Sequence, residues 1–566
     1  MSYRLRLLAL ALLGSAAPLR AQAPLYTFNG DTNGDFFGKD VRAAGDVDGD
    51  GTPDLIIGVP FDDPTGASAG AAYVRSGADG STLYPLFGDA AADLFGNSVC
   101  GAGDVDMDGY DDFAVASPLD DDNGAESGRV RVYSGFDGSV LYTFDGDSPG
   151  DQFGTVIANA GDVNMDGFED LVVGAPFDDD TAADAGSARV LSGFDGSVLY
   201  TFFGDDADDR FGTAVAGAGD VNMDGHADVV VGAPRDDDNG SSSGSARVLS
   251  GLDGAILYTF FGDSMDDQLG ASVAGAGDVD QDGYADVVAG APQDDDGGAE
   301  AGSARVFSGA DGSTLYTFSG VAAGERLGTS VAAGDVDADG YSDVVVGVPR
   351  AVTAGSQAGA VRVHSGLDGA AMWVFAAIPG EWFGFAVDFL GDLDGDGFGE
   401  IAVGAPRSDR GGNGAGSALV QVGGCWHEAT NFCIANPSSA GLPARISGLG
   451  TTSVARNDFT LAVRDSVPSM FGVFFYGPNQ IQVPFGLGFL CVGAGGVGLF
   501  RLNPPILGDG LGYLTRLVDF TQFPAASGTG AILPGATWRF QWWYRDPAAG
   551  APFFNLSDGV SATFCP

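Results

Sequence analysis

Short apolar runs alternate with clusters of Gly, Asp, Asn and Ser along most of the chain. Residues 211–262 show the pattern most cleanly. Four stretches suited to strands, Thr213–Gly219, Val229–Ala233, Ser245–Leu249 and Ile256–Phe261, are separated by polar turns. Runs this short, rich in Val and bounded by turn residues, predict strands and not helices. Asp-Gly pairs such as Asp224-Gly225 and Asp253-Gly254 mark tight turns, where a positive φ favours Gly.

The unit repeats. The string Gly-Asp-Val/Leu-Asp/Asn-x-Asp-Gly has its first Asp at 46, 104, 162, 220, 278, 335 and 392, spacings of 58 residues and finally 57. Seven units of four strands predict an all-β chain whose residues 24–423 form a seven-bladed β-propeller. Leu25-Tyr26-Thr27-Phe28 repeats the fourth strand of other units, such as Leu199-Tyr200-Thr201-Phe202. The seventh unit stops at its third strand, Ser417-Ala418-Leu419-Val420. The N-terminal strand is therefore expected to complete the last blade and hide the free sheet edges.

Each unit also carries Asp-x-Asp/Asn-x-Asp-Gly-x-x-Asp, with Glu closing the seventh. A hard cation such as Ca²⁺ takes about six to eight oxygens, and Mg²⁺ fits less well because it keeps its waters. Acids at positions 1, 3, 5 and 9 and a backbone carbonyl at 7 would supply them, with Gly at 6 for the bend. The candidate ligands in units one to three are Asp46, Asp48, Asp50 and Asp54; Asp104, Asp106, Asp108 and Asp112; and Asp162, Asn164, Asp166 and Asp170. Those of units four and five are Asp220, Asn222, Asp224 and Asp228, and Asp278, Asp280, Asp282 and Asp286. Those of units six and seven are Asp335, Asp337, Asp339 and Asp343, and Asp392, Asp394, Asp396 and Glu400. Up to seven Ca²⁺ ions are expected. The two Asn residues keep an oxygen and remove a charge, so units three and four should bind more weakly. An EF-hand would need Glu at position 12, where this chain has apolar strand residues such as Ile57. Bare Asp-Gly turns are the competing reading, and they would leave seven sets of carboxylates repelling one another.

These units resemble FG-GAP repeats, the blades of integrin alpha-subunit propellers and of many secreted bacterial proteins. The Phe-Gly element is Phe37-Gly38, Phe95-Gly96, Phe153-Gly154, Phe211-Gly212 and Phe383-Gly384, with Leu269-Gly270 and Leu327-Gly328 departing from it. The Gly-Ala-Pro element is Gly174-Ala175-Pro176, Gly232-Ala233-Pro234, Gly290-Ala291-Pro292 and Gly404-Ala405-Pro406. The resemblance implies Ca²⁺ in the blade loops and a role in extracellular adhesion or interaction. It says less about function than about fold.

Charge narrows the partners. Asp and Glu number 77 against 25 Lys and Arg, a net −52, and Lys39 is the only lysine. Phosphate backbones and anionic lipid would be repelled, so nucleic acid is excluded as a partner and an extracellular protein or glycan is expected. Seven divalent ions would offset only part of this charge. The rest sits in Asp runs after the Gly-Ala-Pro element (Asp120–Asp122, Asp178–Asp180, Asp236–Asp238, Asp294–Asp296) and before Phe-Gly (Asp145–Asp151, Asp205–Asp209, Asp263–Asp267). Successive turns of a blade alternate between faces, so these two families share the face opposite the metal loops. That face is either a surface for cations and basic or polyhydroxyl ligands or simply a solvated one.

The first 23 residues read as a signal peptide: Arg4 and Arg6, an apolar stretch Leu7–Leu13, and Ala21-Gln22-Ala23 for cleavage. A secreted or cell-surface location follows, with no transmembrane segment expected. Composition shifts after Gly423. Residues 424–566 are expected to be a β-sandwich-like domain whose Cys425, Cys433, Cys491 and Cys565 form two disulfides. Cys100 stands where unit four has Ala216 and reads as a buried free thiol. Trp542-Trp543-Tyr544 reads as strand packing before it reads as a carbohydrate platform.

Enzymatic motifs are missing. Of the three histidines, His226 fills loop position 7 with its ring expected in solvent, His364 ends a strand, and His427 lies between cysteines. No nucleophile elbow, zinc-helix or phosphate-loop pattern occurs. The chain is expected not to be an enzyme. The alternatives to an adhesion or interaction protein are a structural envelope or matrix component and, with less support, a carboxylate-based polysaccharide-acting hydrolase or lyase.

Overall fold

The computed structural model describes residues 24–423 apart from 354–355 and 379, and most of 430–563 in separate stretches. The expected signal peptide and His427, Cys425, Cys433 and Cys565 lie outside the described residues.

Seven four-stranded antiparallel sheets run from Tyr26 to Gln421. The fourth is typical: Ala214–Gly219, Asp228–Ala233, Ser245–Leu249 and Ile256–Phe261 pair in sequence order. Its second strand is buried at every position. Both its faces pack against neighbouring blades, which is why Val229, Val230 and Val231 run on without polar alternation. First strands touch around the axis, and Ala386–Gly391 of the last blade meets Asp40–Gly45 of the first. Their Ala and Gly content suits that convergence.

The ring closes as the sequence predicts. Tyr26–Asn29 is the outer strand of the last sheet, with Tyr26 opposite Val420 and Phe28 opposite Ala418. Blades are also stapled in pairs. The Gly before each third strand bridges the Phe or Leu of the next blade's Phe-Gly element, from Gly70 with Phe95 round to Gly416 with Phe37. At Gly244 a β-carbon would meet the Leu269 carbonyl oxygen at 2.3 Å and φ is +79°, so only glycine fits. Leu269 and Leu327 fill the buried slot that Phe occupies elsewhere.

After the propeller, a five-stranded sheet has the order Thr430–Phe432, Phe554–Thr563, Thr537–Arg545, Phe471–Gly477, Phe500–Leu507. A three-stranded sheet pairs Arg445–Leu449, Thr460–Arg464 and Leu514–Leu517. One core holds Phe474, Phe540 and Trp542 from the first sheet and Ile446, Leu461 and Val463 from the second, a two-layer packing. Trp542 and Tyr544 are fully buried and Trp543 is half-buried, so strand alternation places the first two in the core. Cys100 is a buried free thiol.

Candidate metal centres

Each acidic loop leaves the sheet through a bulge. In blade four the register between first and second strands slips between Gly217 and Gly219, where φ is +75°. The chain then folds back over its own amides. In blade one Asp46 accepts the Asp50 N–H at Oδ1 (3.0 Å) and the Gly51 N–H at Oδ2 (2.9 Å). Asp48 Oδ1 also accepts from Asp50 N–H, and Asp50 Oδ1 accepts from Thr52 N–H. Gly51 has φ +89°, the bend expected of position 6.

This winding turns three carboxylates toward one point. Ligand oxygens of Asp46, Asp48 and Asp50 lie within 4.8 Å of one another, as do those of Asp104, Asp106 and Asp108 and of Asp278, Asp280 and Asp282. Asn164 and Asn222 take the position-3 role, each accepting from the position-5 N–H at 2.9 Å. Asp162 and Asp220 repeat the two bonds of Asp46. Asp335 and Asp392 do the same in blades six and seven. In blade six Asp337 Oδ1 is shielded from solvent and has no hydrogen-bond partner. A buried, unpartnered carboxylate oxygen beside two more acids suits a hard cation and little else.

Position 9 does something the sequence reading missed. Asp54 is fully buried, accepts the Val47 N–H at Oδ2 (2.9 Å) and accepts the Gly77 N–H at Oδ1 (2.9 Å). It is not in the three-carboxylate group. Asp112, Asp170, Asp228, Asp286 and Asp343 repeat the arrangement. Glu400 does so with Leu393 and Gly423. The acid thus clamps the loop to the Ser-Gly turn between third and fourth strands, which places both on one face. Burial pushes Asp54 up to about 7 and Glu400 up to about 8. A bound cation would favour their ionised forms. Asp54 Oδ2 also accepts the Asp48 N–H at 3.2 Å, so the second lone pair left for a ligand there is on Oδ1.

Two further contacts cross between loops. Asp111 Oδ2 accepts the Asp46 N–H of the preceding blade at 2.7 Å. His226 is not simply solvent-exposed as expected: its Nδ1 lies 2.7 Å from the Val163 carbonyl of blade three. Position 8 varies among units, so no repeat signal marks Asp111.

A closed ring of seven four-stranded blades with acidic loops along one rim defines a seven-bladed β-propeller. The FG-GAP repeat model matches residues 43–74, 95–133, 153–191, 211–249, 269–307, 327–364 and 383–420, once per blade, and the chain belongs to the FG-GAP repeat proteins. It is 32% identical to integrin alpha-5 of Xenopus laevis over 219 residues, 35% of this chain and 20% of that one. It is 32% identical to integrin alpha-V of Gallus gallus over 239 residues, 38% of this chain and 20% of that one. Integrin alpha-4 of Xenopus laevis matches at 32% over 163 residues, 27% of this chain and 15% of that one. The match thus spans a fifth or less of these relatives' lengths. Among the described residues no helix is long and apolar enough to cross a membrane.

Proposed function

We propose that this protein is secreted or cell-surface, and that it is an adhesion or interaction module whose rim loops hold Ca²⁺. The carrying observation is the convergence of three acids in loops that recur with the blade period. Kinship with integrin alpha chains supports an extracellular setting. The ion would be held by acids 1, 3 and 5, the carbonyl at 7 and the acid at 9, the residues named above. Bound there, it supplies positive charge to a loop that otherwise gathers only negative charge. The chain's own part is to pre-form the loop through Asp-to-amide bonds and to tie it to the neighbouring turn through position 9.

The same reading divides the chain into a signal peptide at 1–23, a propeller at 24–423 and a C-terminal domain at 424–566. It includes two disulfides among the four C-terminal cysteines, a view supported by the bonded state of Cys491. The partner is an extracellular protein or a glycan.

The test is a panel of extracellular proteins and glycans presented to the mature protein with Ca²⁺ and with chelator. A defined ligand bound only with Ca²⁺ is expected. Self-association with no discrete ligand, or turnover of a glycan, overturns the reading.

A further inference from the structure

The face opposite the rim loops changes sign around the ring. After the Gly-Ala-Pro element, or its variant in blade two, blades two to five carry Asp120–Asp122, Asp178–Asp180, Asp236–Asp238 and Asp294–Asp296. Blades six and seven read Arg350-Ala351-Val352 and Arg407-Ser408-Asp409 at that place. In the loops that enter these two blades one acid remains in each, Glu325 and Glu381. Both are already paired. Arg362 binds Glu325 at 2.9 Å, and Arg410 binds Glu381 through Nε (2.9 Å) and Nη2 (3.1 Å). Glu300 of blade five is held by Arg326 through Nη2 (2.6 Å) and Nε (3.0 Å). Asp409 Oδ1 accepts the Gly414 N–H at 2.7 Å.

Three cations are left over. Among the described residues the side chains of Lys39, Arg350 and Arg407 have no carboxylate partner, in a chain with 77 acids. Asp40, next to Lys39 in the chain, turns to Arg42 Nε at 3.1 Å. The three cations rest on aromatic rings instead. Arg407 lies 3.8 Å from the centroid of Trp382 and 5.9 Å from that of Phe36, and Arg350 lies 5.9 Å from Trp382. Trp382 stacks on Phe385 at 6.0 Å with the planes 11° apart, and Lys39 Nζ is 5.5 Å from the Phe385 ring. Blades six, seven and one thus share one connected cluster. Trp382 and Phe385 are half-buried and Arg407 is exposed. A guanidinium resting on a ring keeps its in-plane N–H donors, the fork that fits a carboxylate.

Lys39 and Phe385 also line a cavity of about 350 Å³ where the blades converge, together with Asn97, Thr155, Thr213 and Thr329. Each threonine hydroxyl donates to a backbone carbonyl, that of Gln152 (2.8 Å), Arg210 (2.7 Å) or Arg326 (2.7 Å). With those protons committed, the hydroxyl oxygens offer the cavity lone pairs. The site therefore has cations and ring faces at one side and acceptors at the other. A basic ligand would meet uncompensated positive charge. A bare carboxylate would leave the acceptors unused. A polynucleotide would carry its further phosphates over the Asp runs of blades two to five. An acidic sugar supplies a carboxylate, several hydroxyl donors and an apolar C–H face in one ring.

We infer that Lys39, Arg350 and Arg407, with the rings of Trp382 and Phe385, bind a carboxylate-bearing polysaccharide through a uronic-acid residue. The carboxylate meets the cations, the sugar hydroxyls meet the cavity, and the C–H face packs on the indole. This rests on the interaction-module reading and narrows its partner to an acidic glycan.

The test is calorimetric titration of the mature protein in Ca²⁺ with tetragalacturonate, with its methyl ester and with hexaglutamate. Tetragalacturonate should bind, and the ester should bind at least about tenfold more weakly, the worth of one charge-assisted contact. Arg407→Ala and Lys39→Gln should each weaken tetragalacturonate by a similar factor. Arg235→Ala, at the same place in blade four, should leave it unchanged. The acid and ester are compared on the parent, so that comparison needs no variant to fold. Ester as tight as acid, or hexaglutamate as tight as tetragalacturonate, overturns the inference. So does an Arg407→Ala protein that binds like the parent, or an equal loss in Arg235→Ala. A folded, Ca²⁺-loaded parent that binds none of the three probes also overturns it. The interaction-module reading falls only if the wider panel, too, yields no Ca²⁺-dependent ligand.

Discussion

The hydroxyl of Tyr26 donates to the Ala78 carbonyl at 2.8 Å, across the seam where the chain's first strand meets the first blade's turn. Tyr84 to Gly135, Tyr200 to Gly251 and Tyr258 to Gly309 make the same bond between consecutive blades. The ring is therefore closed by ordinary inter-blade chemistry. Tyr26→Phe should cost about 1 kcal/mol, the usual net value of one hydrogen bond. Tyr200→Phe should cost a similar amount in denaturant unfolding. Removing residues 24–30 should cost far more, since it strips a whole strand from the last sheet. Equal stability with and without that strand would contradict this closure.

Position 9 and position 5 of the rim loops should separate by their response to metal. Asp228→Ala leaves the Val221 and Gly251 N–H groups without their acceptor. About 1–3 kcal/mol is expected for each such group, so the variant should be destabilised in chelator as well as in Ca²⁺. Asp224→Asn keeps an oxygen for the His226 N–H and removes a charge from an exposed loop. Its stability in chelator should stay within about 0.5 kcal/mol of the parent, with a loss only when Ca²⁺ is present. Urea unfolding in both conditions checks the pair.

His364 gives a pH signature. Its ring is buried and stacks on Phe318 with centroids 4.0 Å apart, and burial pushes it down to about 4. The unfolded chain takes up this proton near pH 6.5. Stability from the neutral ring is thus complete above about 6.5 and drains away as pH falls toward 4. Blade five has Phe307 at the same place, stacked on Phe260 at 3.9 Å. His364→Phe should match or exceed the parent at pH 7 and gain on it by on the order of 1–3 kcal/mol near pH 4.5. An advantage that does not grow on acidification would show that the ring is already charged in the fold.

The repeat period carried most of the architecture. It placed the four strands of each blade, the closing strand at Tyr26 and the seven acidic loops. It did so because every unit solves the same packing problem with nearly the same residues. What stayed hidden lies between repeats or inside runs of one residue type. Asp120-Asp121-Asp122 reads as uniform, yet Asp120 is buried and Asp121 and Asp122 are exposed. An unbroken acidic run carries no inside-outside signal. Asp54 reads as one more ligand, and its clamp on Gly77, 23 residues away, needs the third strand in place. His226 reads as solvent-exposed because position 7 would ligate through its backbone carbonyl and leave the ring free, and the ring's partner Val163 belongs to another blade.

The measurement that bears most directly on the calcium-held propeller is thermal unfolding of the mature protein in Ca²⁺ and then in chelator, with bound metal counted. A large drop in Tm on chelation, together with several Ca²⁺ ions per chain, is the predicted result. An unchanged Tm with no bound metal would contradict it.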